Sequence, residues 1–366
     1  VTTEENIEEK IKEYQPGIIA HSVMTGEHGF YSELIGKLKR MFPDMFFLAG
    51  GPHPTFFPEF LEQSSLDAIC RGEGEEAVVE FLELFEAGKD FTQTRNFWFK
   101  KDGRIIRNPV RPLIKNLDGL PFPDRELVYK YPKIRDTEIR HFFFSRGCPF
   151  DCSYCFNHSF FELYSQEAEE PKRVRFRATD NLLEEIAQVI SQHETRVVYF
   201  QDDTFILDRE KLKEFAEKYP KKINLPFHCH VRANLVDEEI VSMLKKAGCY
   251  SVHMAAETAD DYLRNEVLGR RMSREQIVEA ARLIKHAGIK LMLQNMIGLP
   301  EGNLEKDLET LGLNVACQPE CAWVSIYQPY PKTRLGEFCR EKGFYSGDFS
   351  DIDPNFFDRT VLNFSS

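Results

Sequence analysis

The segment Ser145-Arg146-Gly147-Cys148-Pro149-Phe150-Asp151-Cys152-Ser153-Tyr154-Cys155-Phe156-Asn157 sets three thiols on one short loop, directly after the apolar run His141 to Ser145. Thiolates are ligands for soft metals, and such tight spacing lets one loop wrap a metal group. Three thiolates can hold three corners of an iron-sulfur cubane and leave one iron open to bind and activate a substrate. Zinc is the competing reading, because His158 follows Cys155 closely and could complete a Cys3His set. Structural zinc sites normally pair two distant Cys-x-x-Cys knuckles, and no second knuckle exists here. The remaining thiols, Cys70, Cys229, Cys249, Cys317, Cys321 and Cys339, are scattered, and nine is an odd total. With no basic, apolar signal segment at the start, a disulfide framework is not expected, and reduced thiols in the cytoplasm are.

Outward from the loop, apolar runs at 141–145, 197–201, 226–231, 250–256, 289–297 and 322–327 read as six strands. Helical patterns at 181–192, 209–218, 237–247, 274–287 and 304–315 separate them, with Gly248 and Gly288 at C-cap positions. Six successive βα units favour a partial (β/α)6 barrel, although periodicity alone leaves an open sheet possible. Either way the chemistry belongs at the carboxyl ends of the strands.

Upstream, a Glu/Lys-rich helical pattern over 4–14 leads into strand runs at 17–20, 45–49 and 67–70. Helices are expected at 30–42 and 75–86, a turn at Gly50-Gly51-Pro52-His53-Pro54, and a hairpin at 95–107 turning on Lys101-Asp102-Gly103. This predicts a second α/β domain over 1–107. A proline-rich linker follows over 108–137, then the barrel over 138–330 and an extension over 331–366. The 366 residues suit two cores. No apolar run is long enough to span a membrane. A net charge of −12 would repel a phosphate backbone, so nucleic acid is not expected as a partner. The 31 phenylalanines suit a large core and a pocket for a bulky flat ligand.

Cys-x-x-x-Cys-x-x-Cys after the first strand of a βα barrel resembles the radical S-adenosylmethionine (SAM) enzymes. That resemblance implies a 4Fe-4S cluster on Cys148, Cys152 and Cys155, with SAM chelated at the open iron and cut to a 5'-deoxyadenosyl radical. It implies that Tyr154 lies beside the adenine, with Phe156 in the same cofactor shell. Asp202 and Asp203 stand where the family carries a Gly-Gly-Glu-like segment against the methionine amino group; alternatively the pair caps the next helix. Arg232 is placed to meet a carboxylate. Glu257 resembles the ribose-contacting glutamate, while Gln294 and Ile297 lie in a segment similar to the one that backs the adenine, with Gln294 where the family often has glycine. The resemblance covers roughly residues 139–330.

Three strand-end turns, Ile19 to Gly26, Ala49 to Thr55 and Arg71 to Glu76, together with the Leu117-to-Pro123 linker, look like the cobalamin-binding domain fused to one branch of these enzymes. It implies a Rossmann-like domain with cobalamin contacts at Ser22, Val23, Thr25, Gly26, Gly50, Gly51, Pro52, His53, Gly72 and Glu73. Glycines there would let the backbone approach a ligand closely. An initial strand-helix-strand unit of that domain is expected to be missing. No Asp-x-His-x-x-Gly segment is present, so cobalt is expected to lack a histidine ligand, with His53 near the nucleotide tail instead. The implied activity is anaerobic methyl transfer to an unactivated carbon or a phosphinate of a small-molecule or natural-product substrate, with an external flavodoxin- or ferredoxin-type electron donor. Cyclisation or hydroxylation, as in the anaerobic magnesium-protoporphyrin monomethyl ester cyclase branch, is the runner-up. A non-catalytic iron-sulfur or cobalamin carrier is the alternative of another class.

Overall fold

The computed structural model describes residues 6–348, 352 and 355–364, which form two compact units. Residues 4 and 5 of the first expected helix, and residues 349–351, 353, 354, 365 and 366 of the expected extension, lie outside the described residues. That helix is present as Ile7–Tyr14, capped by the Asn6 side chain.

The first unit comprises Val1–Ile114, His158–Pro171 and Gly347–Asn355. Its sheet runs in chain order through β1 (Ile18–Ser22), β2 (Phe46–Gly50), β3 (Ala68–Cys70), β4 (Phe97–Lys101) and β5 (Arg104–Arg107). The first three are parallel, and β4 and β5 join antiparallel. The hairpin turns on Asp102 and Gly103, both at positive φ, as a tight two-residue turn requires. Helix His28–Met41 buries Ile35 and Leu38 against Phe47 and Ala49. Helix Glu75–Glu86 buries Ala77 and Phe81 against Leu48, Phe97 and Phe99.

Main-chain hydrogen bonds knit the loops at the carboxyl ends of β1 to β3 together. Val23 N donates to Gly50 O at 2.9 Å, and His53 N donates to Val23 O at 2.9 Å. Thr55 Oγ1 donates to Gly51 O at 2.8 Å and accepts from Gly72 N at 3.0 Å. Instead of the expected open turn, Pro52–Phe56 is a short helix, with Pro52 in its first turn where a missing N–H costs nothing. Its entry residue, Gly51, has φ +91°, and a Cβ there would lie 2.7 Å from Ser22 Oγ and 3.1 Å from Val23 N. The glycine is demanded by loop-on-loop packing inside the unit.

The second unit comprises Lys115–Asn157, Lys172–Ser346 and Phe356–Ser366. It contains β6 (Ile139–Phe142), β7 (Ser145–Arg146), β8 (Arg175–Phe176), β9 (Val197–Phe200), β10 (Phe227–Val231), β11 (Cys249–Glu257), β12 (Lys290–Ile297) and β13 (Cys321–Ile326). Six of these form one parallel sheet in the order β13-β12-β11-β10-β9-β6. Each strand lies beside its predecessor with no reversal of direction, which is the order of a partial barrel and not of a doubly wound sheet. Side chains of Asp208, Asp237, Ser273 and Asn303 cap four of the outer helices, so each crossover begins at a defined residue. Outward-facing strand residues such as Phe200, Phe227, Val252 and Leu291 pack with Leu182, Phe215, Ile240 and Ile277 of those helices in one core.

The first barrel strand stops at Phe142 instead of running to Ser145. Beyond it the backbone turns out of the ladder, and β7 pairs antiparallel with β8. The stretch expected as linker contains a 3-10 turn at Leu117–Gly119 and single-turn helices at Glu126–Tyr129 and Pro132–Arg135. Among the described residues, no helix is long and apolar enough to cross a membrane.

Gly51→Ala should cost about 1–3 kcal/mol, because alanine there combines a left-handed backbone with a close contact. Denaturant unfolding checks this, and an unchanged midpoint would refute the packing argument.

Candidate active site

At the carboxyl end of β6 the chain must leave the sheet and enter the cysteine loop, and buried Asp202 enforces that exit. Its carboxylate accepts from Phe144 N at 3.0 Å and from Ser145 N at 2.5 Å, and from the Ser145 hydroxyl. Burial pushes this carboxyl up to about 6, against the lowering effect of those three donors. Asp202 is thereby occupied with the main chain. Asp203, its exposed neighbour, acts electrostatically on Cys148 and Cys155 and is bonded to the Asn157 side chain; desolvation raises its carboxyl too.

The loop itself is pinned at Ser153. Its N–H donates to Leu268 O at 3.0 Å, its hydroxyl to Val267 O at 2.6 Å, and its carbonyl accepts from Leu335 N at 2.9 Å. Cys152 is buried, and Cys148 and Cys155 are half-buried. Burial raises the Cys148 thiol and pushes Cys155 up to about 12. Cys148 and Cys155, where burial disfavours the anions, are suited to a cation that neutralises them. Among the described residues, the one group of three His, Cys, Asp or Glu ligand atoms within 4.8 Å of one another lies elsewhere, at His228, His230 and His253. The three cysteine sulfurs are thus not all within that distance of one another.

Arg232, just after β10, donates to Cys152 Sγ at 3.6 Å and to Arg270 O, and its guanidinium lies 3.9 Å from the Phe150 ring centroid. Beside it, Tyr154 donates to Glu257 Oε1 at 2.8 Å. Arg270 Nη1 reaches the Tyr154 hydroxyl at 2.7 Å and Glu257 at 3.4 Å, and its other terminal nitrogen donates to Ala255 O. Burial raises the Tyr154 phenol well above its ordinary value, so it stays protonated and donates. Glu257 holds φ +67° as the last residue of β11, a conformation that costs a non-glycine residue about 1–3 kcal/mol and needs fixed surroundings. Phe156 packs 5.9 Å from Tyr330 between ring centroids.

Cys148, Cys152, Cys155, Tyr154, Asp203, Arg232 and Glu257 are therefore brought to one locality. Gln294 aligns with Ala255 in the β11–β12 register, and Ile297 ends β12; among the described residues neither has a recorded bond to that network. Arg270 went unnoticed in the sequence, because a lone arginine after Gly269 carries no spacing signal.

In the first unit, Ser22, Val23, Thr25, Gly26, Gly50, Gly51, Pro52 and His53 share the knitted rim described above. His53 is buried, stacked 4.3 Å from His28 and edge-on 5.0 Å from Phe60, with Nδ1 3.4 Å from Thr25 Oγ1. Gly72, at φ +72°, leaves a space that the Tyr164 hydroxyl fills, only 2.2 Å from an added Cβ. That hydroxyl accepts from Glu73 N at 2.8 Å, and Glu167 pairs through both oxygens with Arg71 at 2.9 and 3.1 Å. Gly51 and Gly72 thus meet demands of the unit's own packing, where the sequence suggested ligand approach. The helix Asn157–Glu167 that supplies Tyr164 is not among the helices expected from the sequence.

A family model described as the radical SAM superfamily matches residues 142–313, and one described as a B12 binding domain matches residues 1–82. The chain is 27% identical over 334 residues to an uncharacterised methyltransferase of Pyrococcus horikoshii, covering 90% of this chain and 70% of that protein. It is 28% identical over 353 residues to the anaerobic magnesium-protoporphyrin IX monomethyl ester cyclase of Cereibacter sphaeroides, covering 92% of this chain and 55% of the cyclase. Its fold matches the radical S-adenosylmethionine methyltransferase TsrM from Kitasatospora setae, solved with cobalamin and a [4Fe-4S] cluster, at a TM-score of 0.73 and 18% identity over 92% of this chain and 66% of that one. The chain spans only part of the length of each.

Asp202→Ala leaves buried donors without an acceptor, which should cost about 1–3 kcal/mol for each donor. Iron retained after anaerobic reconstitution should fall although all three cysteines remain. Full iron with an unchanged unfolding midpoint would refute this role. Because its folded pKa is raised, the stability Asp202 contributes is full below its ordinary 3.8 and is lost as pH rises through about 6. Asp202→Asn should flatten that part of the stability profile, measured by denaturant unfolding from pH 4 to 7.

Proposed function

Because this chain belongs to the radical SAM superfamily and carries a B12-binding domain ahead of its radical SAM domain, we propose that it is a cobalamin-dependent radical SAM methyltransferase acting on an unactivated carbon or phosphinate of a small molecule. Its cofactors are a 4Fe-4S cluster, SAM and cobalamin. When bound, they supply an electron to cleave the sulfonium, a hydrogen-abstracting 5'-deoxyadenosyl radical, and a methyl carrier.

Cys148, Cys152 and Cys155 hold the cluster. Arg232, already bonded to Cys152, is the cation for a substrate carboxylate at the open iron, and Asp203 is the anion for its amino group. Glu257 offers its second carboxylate oxygen to ribose hydroxyls while Tyr154 and Arg270 engage the first. Tyr154, Phe156, Gln294 and Ile297 flank the adenine. The rim from Ser22 to His53, with Gly72 and Glu73, receives cobalamin, within a binding domain taken as residues 1–107; the barrel is taken as 138–330. An external low-potential protein supplies electrons.

Methyl transfer is favoured by the similarity to a methyltransferase across 90% of this chain and 70% of that relative. A cyclase reading stands beside it, because the magnesium-protoporphyrin cyclase is 28% identical over 353 residues.

The two differ in products. Methyl transfer by this route consumes two SAM per turnover and should release 5'-deoxyadenosine and S-adenosylhomocysteine in near-equal amounts. With the true substrate under anaerobic conditions, deoxyadenosine without S-adenosylhomocysteine would overturn methyl transfer in favour of the cyclase. Alanine at Cys148, Cys152 or Cys155 should abolish deoxyadenosine and remove about four irons per chain, whereas Cys229→Ala should retain both.

A further inference from the structure

A second cluster of metal-type ligands lies lower on the concave face of the barrel sheet, and the cofactors named above make no use of it. His228 and His230 alternate along β10, so both point to one face, and His253 on β11 is the register partner of His230. The intervening residues Phe227, Cys229, Val231, Val252 and Met254 point the other way, into the apolar core. Two further polar side chains complete the group. Tyr199 on β9 is the register partner of His228, and its hydroxyl lies 3.1 Å from His230 Nε2 and 3.3 Å from His253 Nδ1. Ser251 Oγ lies 2.6 Å from His228 Nδ1.

An imidazole cluster on a sheet floor that apolar residues could fill calls for a ligand. One nitrogen from each histidine lies within 4.8 Å of the others. His228 Nε2 is buried with no hydrogen-bond partner, although the residue is only 7% exposed. The bond to Ser251 explains its readiness: with Nδ1–H donating to the serine oxygen, Nε2 carries the lone pair, the tautomer that a second-shell partner fixes in metal-bound histidines.

We infer that His228, His230 and His253 form a second metal site, separate from the cysteine loop, that takes a divalent first-row transition ion of the zinc class. Imidazole nitrogens suit such ions, and nitrogens around a tetrahedral zinc stand about 3.4 Å apart, so the rings need only draw in by about an ångström. Three protein nitrogens leave the fourth position for a small oxygen ligand, and the Tyr199 hydroxyl is placed to hydrogen-bond it. His230 stands two residues before Arg232, which directly follows β10, so the ion lies about 7 Å down the strand direction from that arginine.

Zinc itself is the probe. The full-length protein with its cluster reconstituted should retain about one zinc per chain beside its iron after dialysis. So should a full-length Cys148→Ala/Cys152→Ala/Cys155→Ala protein, in which the loop cannot bind metal. In that background His228→Ala and, separately, the milder His253→Gln should reduce zinc to background. Zinc should raise the unfolding temperature of the parent and leave both variants unmoved, which distinguishes loss of a ligand from loss of fold. Cobalt(II) in the same background should give the visible absorption of a tetrahedral site without thiolate charge-transfer bands. Zinc below about a tenth per chain in both parents, or zinc that survives replacement of His228 and His253, overturns the proposal. Neither result bears on the iron content or the products of the radical chemistry.

Discussion

A carboxylate with almost no access to water gathers two amides and a hydroxyl where β6 ends, and the barrel's cysteine loop hangs from that arrangement. Asp202 is the second residue past β9, so its position is set by the sheet, and the sheet is set by the core beneath it. Once Phe144 and Ser145 are bound to it, the chain cannot continue as a strand and must turn outward. Ser153 then fixes the far end of the loop on residues 267, 268 and 335. Cys148 and Cys152 stand between these two anchors and Cys155 two residues beyond the second, so backbone geometry sets the spacing of the thiols.

The concave face grades in charge along the strands. At the carboxyl ends stand Arg232, Arg270, Glu257 and Asp203. Two or four residues lower, the polar groups are neutral imidazoles and a phenol. Residue type accounts for that change: the upper positions carry arginine and carboxylates that compensate one another, and the lower ones carry imidazoles and a phenol that burial keeps neutral. The first unit builds its rim differently, from main-chain amides and carbonyls tied by Thr55, Asn96 and Tyr164, with few formal charges.

Much of this was legible in the sequence, for a physical reason. Barrel strands read as short apolar runs, and five of the six stand close to the predicted runs, with the first displaced to Ile139–Phe142. The cysteine spacing could be read as a ligand pattern because one loop supplies every thiol. What escaped depended on pairs far apart in the chain. Gly72 reads in the sequence as a turn glycine, and only the fold brings Tyr164 against it. Asp202 and Asp203 look equivalent in sequence, yet one faces the main chain and the other the thiols. Arg270 acquires its role only from a loop that packs back on Tyr154 and Glu257. The histidines did leave a trace, alternation on one strand and a match on the next, but only an assumed register converts that trace into a cluster.

The first unit is assembled from separated stretches of chain, and this bears on its birth as well as its stability. Glu73 and Tyr164, which close the turn after β3, are 91 residues apart. A ribosome releases the amino terminus first, at about 5–20 residues per second. All five strands of the first sheet have therefore emerged some seconds before the helix that completes its rim exists. During that interval Arg71, buried in the finished protein, has no Glu167 to pair with, and the turn at Gly72 has nothing to lean on. The cysteine loop is translated within the same interval, just ahead of that helix. Nascent chains thus carry the unfinished rim and the unligated thiols at the same stage of synthesis.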